Sequence, residues 1–300
     1  MNVKQISSEE NSSLLRRATV ASIVTALFLI FIKFTAWLST GSLSVLASLF
    51  DSVMDGAASL INFLAVRYSL KSADDEHRFG HGKAEALAGL GQACFIAGSA
   101  LVLLINGLER LTTPAPLQSL GAGIIVMLCS IIVTVVLLAI QNHVIKRTGS
   151  VAIKADSLHY ATDLLTNGST ILALFLVQAG FLRADPIICI LISIFILHSA
   201  WRIGYEAVQL LMDRQLPADQ LEKIYRLARK TENVLGVHDL RTRQSGQITF
   251  IQLHLDLDSG MELRRAHAIA KKVEHEILAL FPRADIIIHQ DPFPKGNRTS

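Results

Sequence analysis

A mostly α-helical membrane protein, with six transmembrane helices followed by a small α+β domain, is the fold class this sequence predicts. Three observations predict it. Half of the 300 residues are apolar and few are charged, which is more oily than a typical soluble chain. The apolar residues gather into six runs, each near the roughly 20 residues that a bilayer crossing needs. Beyond Asp213-Arg214 these runs stop, and strand alternation and amphipathic helical spacing take over.

The elements follow in order. Residues 1–13 are polar, rich in Ser and Glu, and expected to form a disordered tail. The apolar run from Ala18 to Leu38 follows Arg16-Arg17 and is too long for a signal-peptide core, so it reads as a retained anchor. The six spans are expected at 16–38, 43–67, 84–111, 119–145, 153–180 and 185–211, within a domain of residues 14–212. Gly41, Pro114-Ala-Pro116 and the stretch from Gly180 to Pro186 punctuate the turns on one side. That side holds only Arg110 and Arg183. The other holds Arg16, Arg17, Arg67, Lys71, Arg78, Lys83, Lys146, Arg147, Lys154, Arg202 and Arg214. Positive residues stay inside, so both termini are expected in the cytoplasm.

The small positive excess, 28 Lys and Arg against 25 Asp and Glu, flanks the apolar runs. It suits membrane orientation and not nucleic acid, which wants a basic stripe on a folded face. Cys94, Cys129 and Cys189 stand singly in apolar segments, so neither a disulfide framework nor a thiolate metal site is favoured. Lys33, deep in the first span, is expected to snorkel toward the headgroups. Gln92, Ser99 and Asn106 recur every seven residues, a stripe suited to interhelical hydrogen bonds.

The C-terminal region, residues 213–293 with a tail at 294–300, reads as αββαβ. Pro217 to Thr231 is amphipathic, Val234 to Arg243 is a strand, and a turn at Ser245-Gly246 leads into the alternating Ile248 to Asp258. Ala266, Ala270, Val273 and Ile277 then form a helical stripe, and Ala284 to Asp291 is a last strand. About 80 residues make a domain small enough to profit from a partner.

Three constellations carry chemistry. Asp51 and Asp55 lie four residues apart in one apolar run, as do His159 and Asp163 in another, so each pair shares a helix face. Ionisable groups in lipid are costly and should face a protein interior or a wet cavity. Three carboxylates and an imidazole are ligands for a four-coordinate divalent metal, although helix–helix hydrogen bonding is the plainer alternative. Asp156, one turn earlier, reads as a gateway or capping residue. In the loop after the second span, Asp74, His77 and His81 follow D-x-x-H-x-x-x-H, a pattern that a solvated polar loop also produces.

The third set is His238, His254, His267, His289 and Asp291. Ile251, Leu253, Leu255 and Leu257 take one face of their strand, so His254 points the other way; His289 and Asp291 share a face. His267 sits just off its helix's apolar stripe. Singly these are ordinary surface histidines, and together they suggest a metal site.

These motifs resemble the cation diffusion facilitator family, and within it the bacterial efflux transporters for zinc and ferrous iron. The resemblance runs through Asp51-x-x-x-Asp55, Asp74-Asp75-x-His77-x-Phe-Gly-His81-Gly-Lys83-Ala-Glu85, His159-x-x-x-Asp163, His238-Asp-Leu-Arg-Thr-Arg-Gln-Ser-Gly246 and Ile287-Ile-His-Gln-Asp-Pro292. It implies a homodimer in the bacterial inner membrane with a ferredoxin-like, metallochaperone-like cytoplasmic domain. It further implies a transport site of Asp51, Asp55, His159 and Asp163, and a loop site of Asp74, His77 and His81. In the cytoplasmic domain His238 and His254 would bind one ion, and His267 and His289 a second, with Asp291 bridging them. Lys83 and Asp213 match a charge pair that ties subunits together. Phe293 stands where some relatives carry a cysteine.

The activity so implied is export of divalent cations, Zn²⁺ first and also Cd²⁺ and Fe²⁺, in exchange for protons by alternating access. Zinc needs neutral imidazole and ionised carboxylates, so metal and protons displace one another. An imidazole's ordinary pKa, about 6.5, makes His159 the natural switch. Zinc in the cytoplasmic domain would hold two subunits together and sense metal. A membrane-anchored metal sensor or metalloenzyme is the rival, but no H-E-x-x-H helix and no poised glutamate support an enzyme.

Overall fold

The computed structural model describes residues 3–41, 43–112, 123–178, 181 and 183–293. The chain divides into two compact units, one of residues 11–208 and one built on the residues from 209 onward. The first contains six long helices: α1 (Val3–Thr40), α2 (Leu43–Ser69), α3 (Lys83–Thr112), α4 (Gly123–Thr148), α5 (Val151–Gln178) and α6 (Ala184–Leu211). Five carry windows apolar enough to cross a membrane, within Glu10–Ser39, Ser48–Ser69, Lys83–Leu111, Met127–Thr148 and Ala184–Leu211. The exception is α5, whose apolar run is diluted by Lys154, Asp156, His159 and Asp163. The Pro114-Ala-Pro116 turn lies outside the described residues, as do Gly180 and the tail after Phe293.

Local chemistry sets the helix ends. Gly41 and Gly149 adopt φ of 62° and 67° and donate to the carbonyls of Trp37 and Ile145, both at 2.8 Å, left-handed caps that glycine takes without strain. At the other end, α1 starts at Val3, so the polar segment expected to be disordered is helical from residue 3. It holds no Gly or Pro, and an established helix propagates cheaply into such a sequence.

The helical unit is oily on the outside and partly polar within. Phe31, Ile61, Leu101, Ile132 and Leu191 are exposed, as lipid contact requires. Leu15 and Ala18 of α1 pack with Val66 of α2, Val144 of α4 and Ala152 and Ile153 of α5. Ile96 and Ala100 of α3 meet Ile196 and Ala200 of α6. At the α3–α5 crossing Gly89 admits the other helix: a Cβ there would stand 2.8 Å from Val151 Cγ1 and 3.3 Å from its carbonyl.

Asp156 is the polar centre of this unit, and here the gateway reading fails. It is fully buried. Ser22 Oγ of α1 donates to it at 2.6 Å and Gln141 Nε2 of α4 at 2.7 Å. Gln92 Nε2 of α3 and Ser59 Oγ of α2 follow at 3.3 and 3.4 Å. One carboxylate on α5 thus ties down four other helices, and donors reach both of its oxygens. Of the heptad stripe, Gln92 serves this network, whereas Ser99 and Asn106 are exposed.

The second unit has the expected αββαβ order: α7 (Ala218–Lys230), β1 (Gly236–Ser245), β2 (Ile248–Asp258), α8 (Leu263–Leu280) and β3 (Ala284–Phe293). The sheet order is β1-β2-β3, with β1 antiparallel and β3 parallel to β2. The parallel pair needs a crossover, which α8 supplies. Ile224 and Ala228 of α7 and Val273 and Ile277 of α8 pack on Ile251, Leu253 and Leu255. The helices cover one face and leave the residues that alternate with these, including His254, on the other.

Candidate metal centres

Three groups of ligand-type side chains converge among the described residues. The first joins α2 and α5. One carboxylate oxygen each from Asp55 and Asp163 and one ring nitrogen of His159 lie within 4.8 Å of one another. His159 is 6% exposed, and its Nε2 is 3.0 Å from Asp55 Oδ1. This is an ion-pair contact, and the buried nitrogen meets no other partner among the described residues. A buried imidazole nitrogen set against two carboxylates fits a divalent cation or a shared proton. Asp51, one turn before Asp55 on α2, is exposed and stands outside this cluster.

Lys33 belongs to the neighbourhood of this centre, which corrects the snorkelling expectation. Its Nζ donates to Ser52 Oγ at 2.6 Å and to the Ser48 carbonyl at 3.1 Å, so the ammonium turns inward onto α2. Hydropathy places a lysine in a span but does not say which way its side chain turns; that needs the packing of α1 on α2.

The second centre lies between α2 and α3. Gly80 at φ 78° helps bend this loop. Asp74 accepts from the His77 backbone N–H at 2.8 Å and from Lys71 Nζ at 2.7 Å. The lysine, then the His77 amide, hold the Asp74 carboxyl well below the usual carboxylate range. His77 Nδ1 and His81 Nε2 stand 3.6 and 3.4 Å from the same carboxylate. The His81 side chain is 1% exposed, rests edge-on against Tyr68, and has both ring nitrogens without hydrogen-bond partners among the described residues. Burying an imidazole that way is costly without a ligand, and a metal would supply one.

The third centre lies on the open face of the sheet. Strand register sets His238 opposite His254 and His254 opposite His289, three imidazoles in a row. Asp291 lies among them, with Oδ2 at 2.8 Å from His254 Nδ1 and 3.3 Å from His238 Nε2, and Oδ1 at 3.1 Å from His289 Nε2. The hydrogen bond from His254, and then the surrounding imidazoles, keep its carboxyl below the ordinary range. A carboxylate presenting both oxygens to separate imidazoles has the geometry of a bridging ligand. His267 is exposed on α8 and stands outside the cluster.

Beside the cluster lies Asp256, whose Oδ1 is 3.2 Å from His238 Nε2. A Cβ on Gly236, its antiparallel neighbour, would collide with this carboxylate, so glycine makes the approach possible. The signal was present in the alternation, since Asp256 is two residues from His254 and shares its face.

The cation efflux transmembrane domain matches residues 19–212, and the cytoplasmic domain of cation efflux proteins matches residues 216–293. The cation-efflux pump FieF of Citrobacter koseri is 50% identical over 279 residues, 93% of each chain. FieF of Escherichia coli O1:K1 / APEC is 49% identical over the same shares. Among solved structures, the metal-bound C-terminal domain of the CzcD transporter from Thermotoga maritima is 28% identical. It covers 27% of this chain and 92% of its own, at a TM-score of 0.24.

Proposed function

The chain belongs to the cation efflux, or cation diffusion facilitator, family, and from that premise we propose that it carries Zn²⁺, and also Cd²⁺ and Fe²⁺, out of the cytoplasm in exchange for protons by alternating access. The family is one of multi-pass metal efflux transporters and not of enzymes. The observation that carries the finer reading is the Asp55–His159–Asp163 cluster, two half-buried carboxylates around a buried imidazole in mid-helix.

The chemistry follows from the donor set. A dication binds only when both carboxylates are ionised and the imidazole is neutral, so protons and metal compete for the same atoms. Asp51, on the same face of α2 as Asp55, is the fourth ligand in this reading. Oxygen and nitrogen donors without thiolate tolerate several divalent ions, and the imidazole favours zinc. The loop centre hands metal toward the membrane. The cytoplasmic centre holds structural and regulatory Zn²⁺ that joins two subunits, the bilayer being the inner membrane and both termini cytoplasmic.

Uptake of Zn²⁺, Cd²⁺, Fe²⁺ and Mn²⁺ by reconstituted vesicles under one fixed proton gradient tests this. Zinc, cadmium and iron are expected to accumulate in wild type, and Asp55→Ala is expected to lower zinc flux at least about 100-fold. Flux that survives Asp55→Ala sinks the proposal.

A further inference from the structure

We propose that Lys33 is the built-in counter-charge of the transport centre, a fixed cation that lets the site give up its metal. The proposal rests on the reading of Asp55, His159 and Asp163 as the transport site.

Lys33 stands in the apolar run of α1, where an ammonium is expensive unless it finds acceptors. It finds them on α2. The Ser52 hydroxyl at 2.6 Å and the Ser48 carbonyl at 3.1 Å belong to the stretch of helix that carries Asp51, and Ser52 is one turn before Asp55. Ser52 is 1% exposed, so this end of the lysine is enclosed by protein. Ser52 lies one residue after Asp51 and three before Asp55, so the ammonium is anchored on the segment of α2 that carries two acids of the proposed site. Lys33 is therefore held against the backbone of the metal-binding helix without occupying the oxygen atoms that would hold the metal.

A charge in that position has a definite consequence. Carboxylates gathered around a dication within an apolar helical unit form an electrostatic trap, because Coulomb attraction is strongest where the dielectric is low. A tethered positive charge weakens attraction for the incoming dication and for its release barrier alike. The trap becomes shallow enough to empty on each cycle. A transporter needs intermediate affinity, whereas a storage site does not.

The charge and the tether are separable. Lys33→Arg keeps both; Lys33→Gln keeps a donor and loses the charge; Lys33→Met loses both. Each is compared with wild type in two measurements on the full chain. One is the component of equilibrium zinc binding that Asp55→Ala removes, and the other is zinc flux in vesicles. The counter-charge predicts that Lys33→Gln and Lys33→Met bind zinc about tenfold tighter or more. KM and kcat should fall together in both, and Lys33→Arg should stay within about threefold of wild type, since it alone keeps the charge.

Unchanged or weaker zinc binding in Lys33→Gln overturns the proposal, because charge would then not matter. Wild-type behaviour in Lys33→Gln with failure only in Lys33→Met would reduce Lys33 to a mechanical tether. If wild type moves no zinc, the transport reading fails instead. The equilibrium binding comparison still decides the electrostatic role of Lys33 in that case.

Discussion

At Asp291 a single carboxylate contacts His238, His254 and His289 from three strands. Asp291→Asn should weaken zinc binding at the cytoplasmic centre by about tenfold or more in a competition titration. The metal-free protein carries a second test. The folded-state carboxyl lies below its ordinary value, so its pairing contributes fully above about pH 3.9 and is lost as pH falls through the lower folded value. The destabilisation caused by Asp291→Asn in denaturant should therefore be present at pH 7 and shrink below roughly pH 4. At the loop centre Lys71 competes with any metal for Asp74. Lys71→Met should tighten zinc there a few-fold, no more, because the pair is exposed. Single residues were unequally legible in the sequence. His254 and Asp291 followed from strand alternation, and Asp256 was available by the same rule. The positions of His267 and Lys33 depend on how α8 and α1 are rotated against their neighbours, which no local spacing records.

Among the elements, α5 has the densest polar lining, with Asp156, His159, Tyr160 and Asp163 along a helix that packs against α2, α3 and α4. Its two acids near the centre do different work. Asp163 joins Asp55 and His159 in the candidate metal centre, while Asp156 fastens Ser22, Ser59, Gln92 and Gln141. Asp156→Ala leaves several buried donors unsatisfied and should cost about 3 kcal/mol in thermal or denaturant unfolding, against roughly 1 for Ser59→Ala. The crossing of α3 on α5 gives an independent check. Gly89→Ala forces a methyl toward the Val151 backbone and should cost about 1–3 kcal/mol while leaving every ligand in place. Helix existence was plain from the apolar runs, and so was the αββαβ order. The difference between Asp156 and Asp163 was not, because both sit at helical spacing from His159. Only the donors arriving from four other helices tell them apart.

For the whole molecule, among the described residues, an oily helical unit carries one cluster of ligand-type side chains, a loop carries a second, and a sheet carries a third. The transport reading gives the first cluster a duty the others lack, which is to trade a dication for protons. The most direct test follows protons during zinc movement. In sealed vesicles with an internal pH dye and no imposed gradient, inward zinc flow should drive protons out and raise the internal pH. Asp55→Ala and His159→Ala should abolish both fluxes together. Zinc entering without proton counterflow, or proton counterflow that persists in Asp55→Ala, would contradict exchange at this cluster.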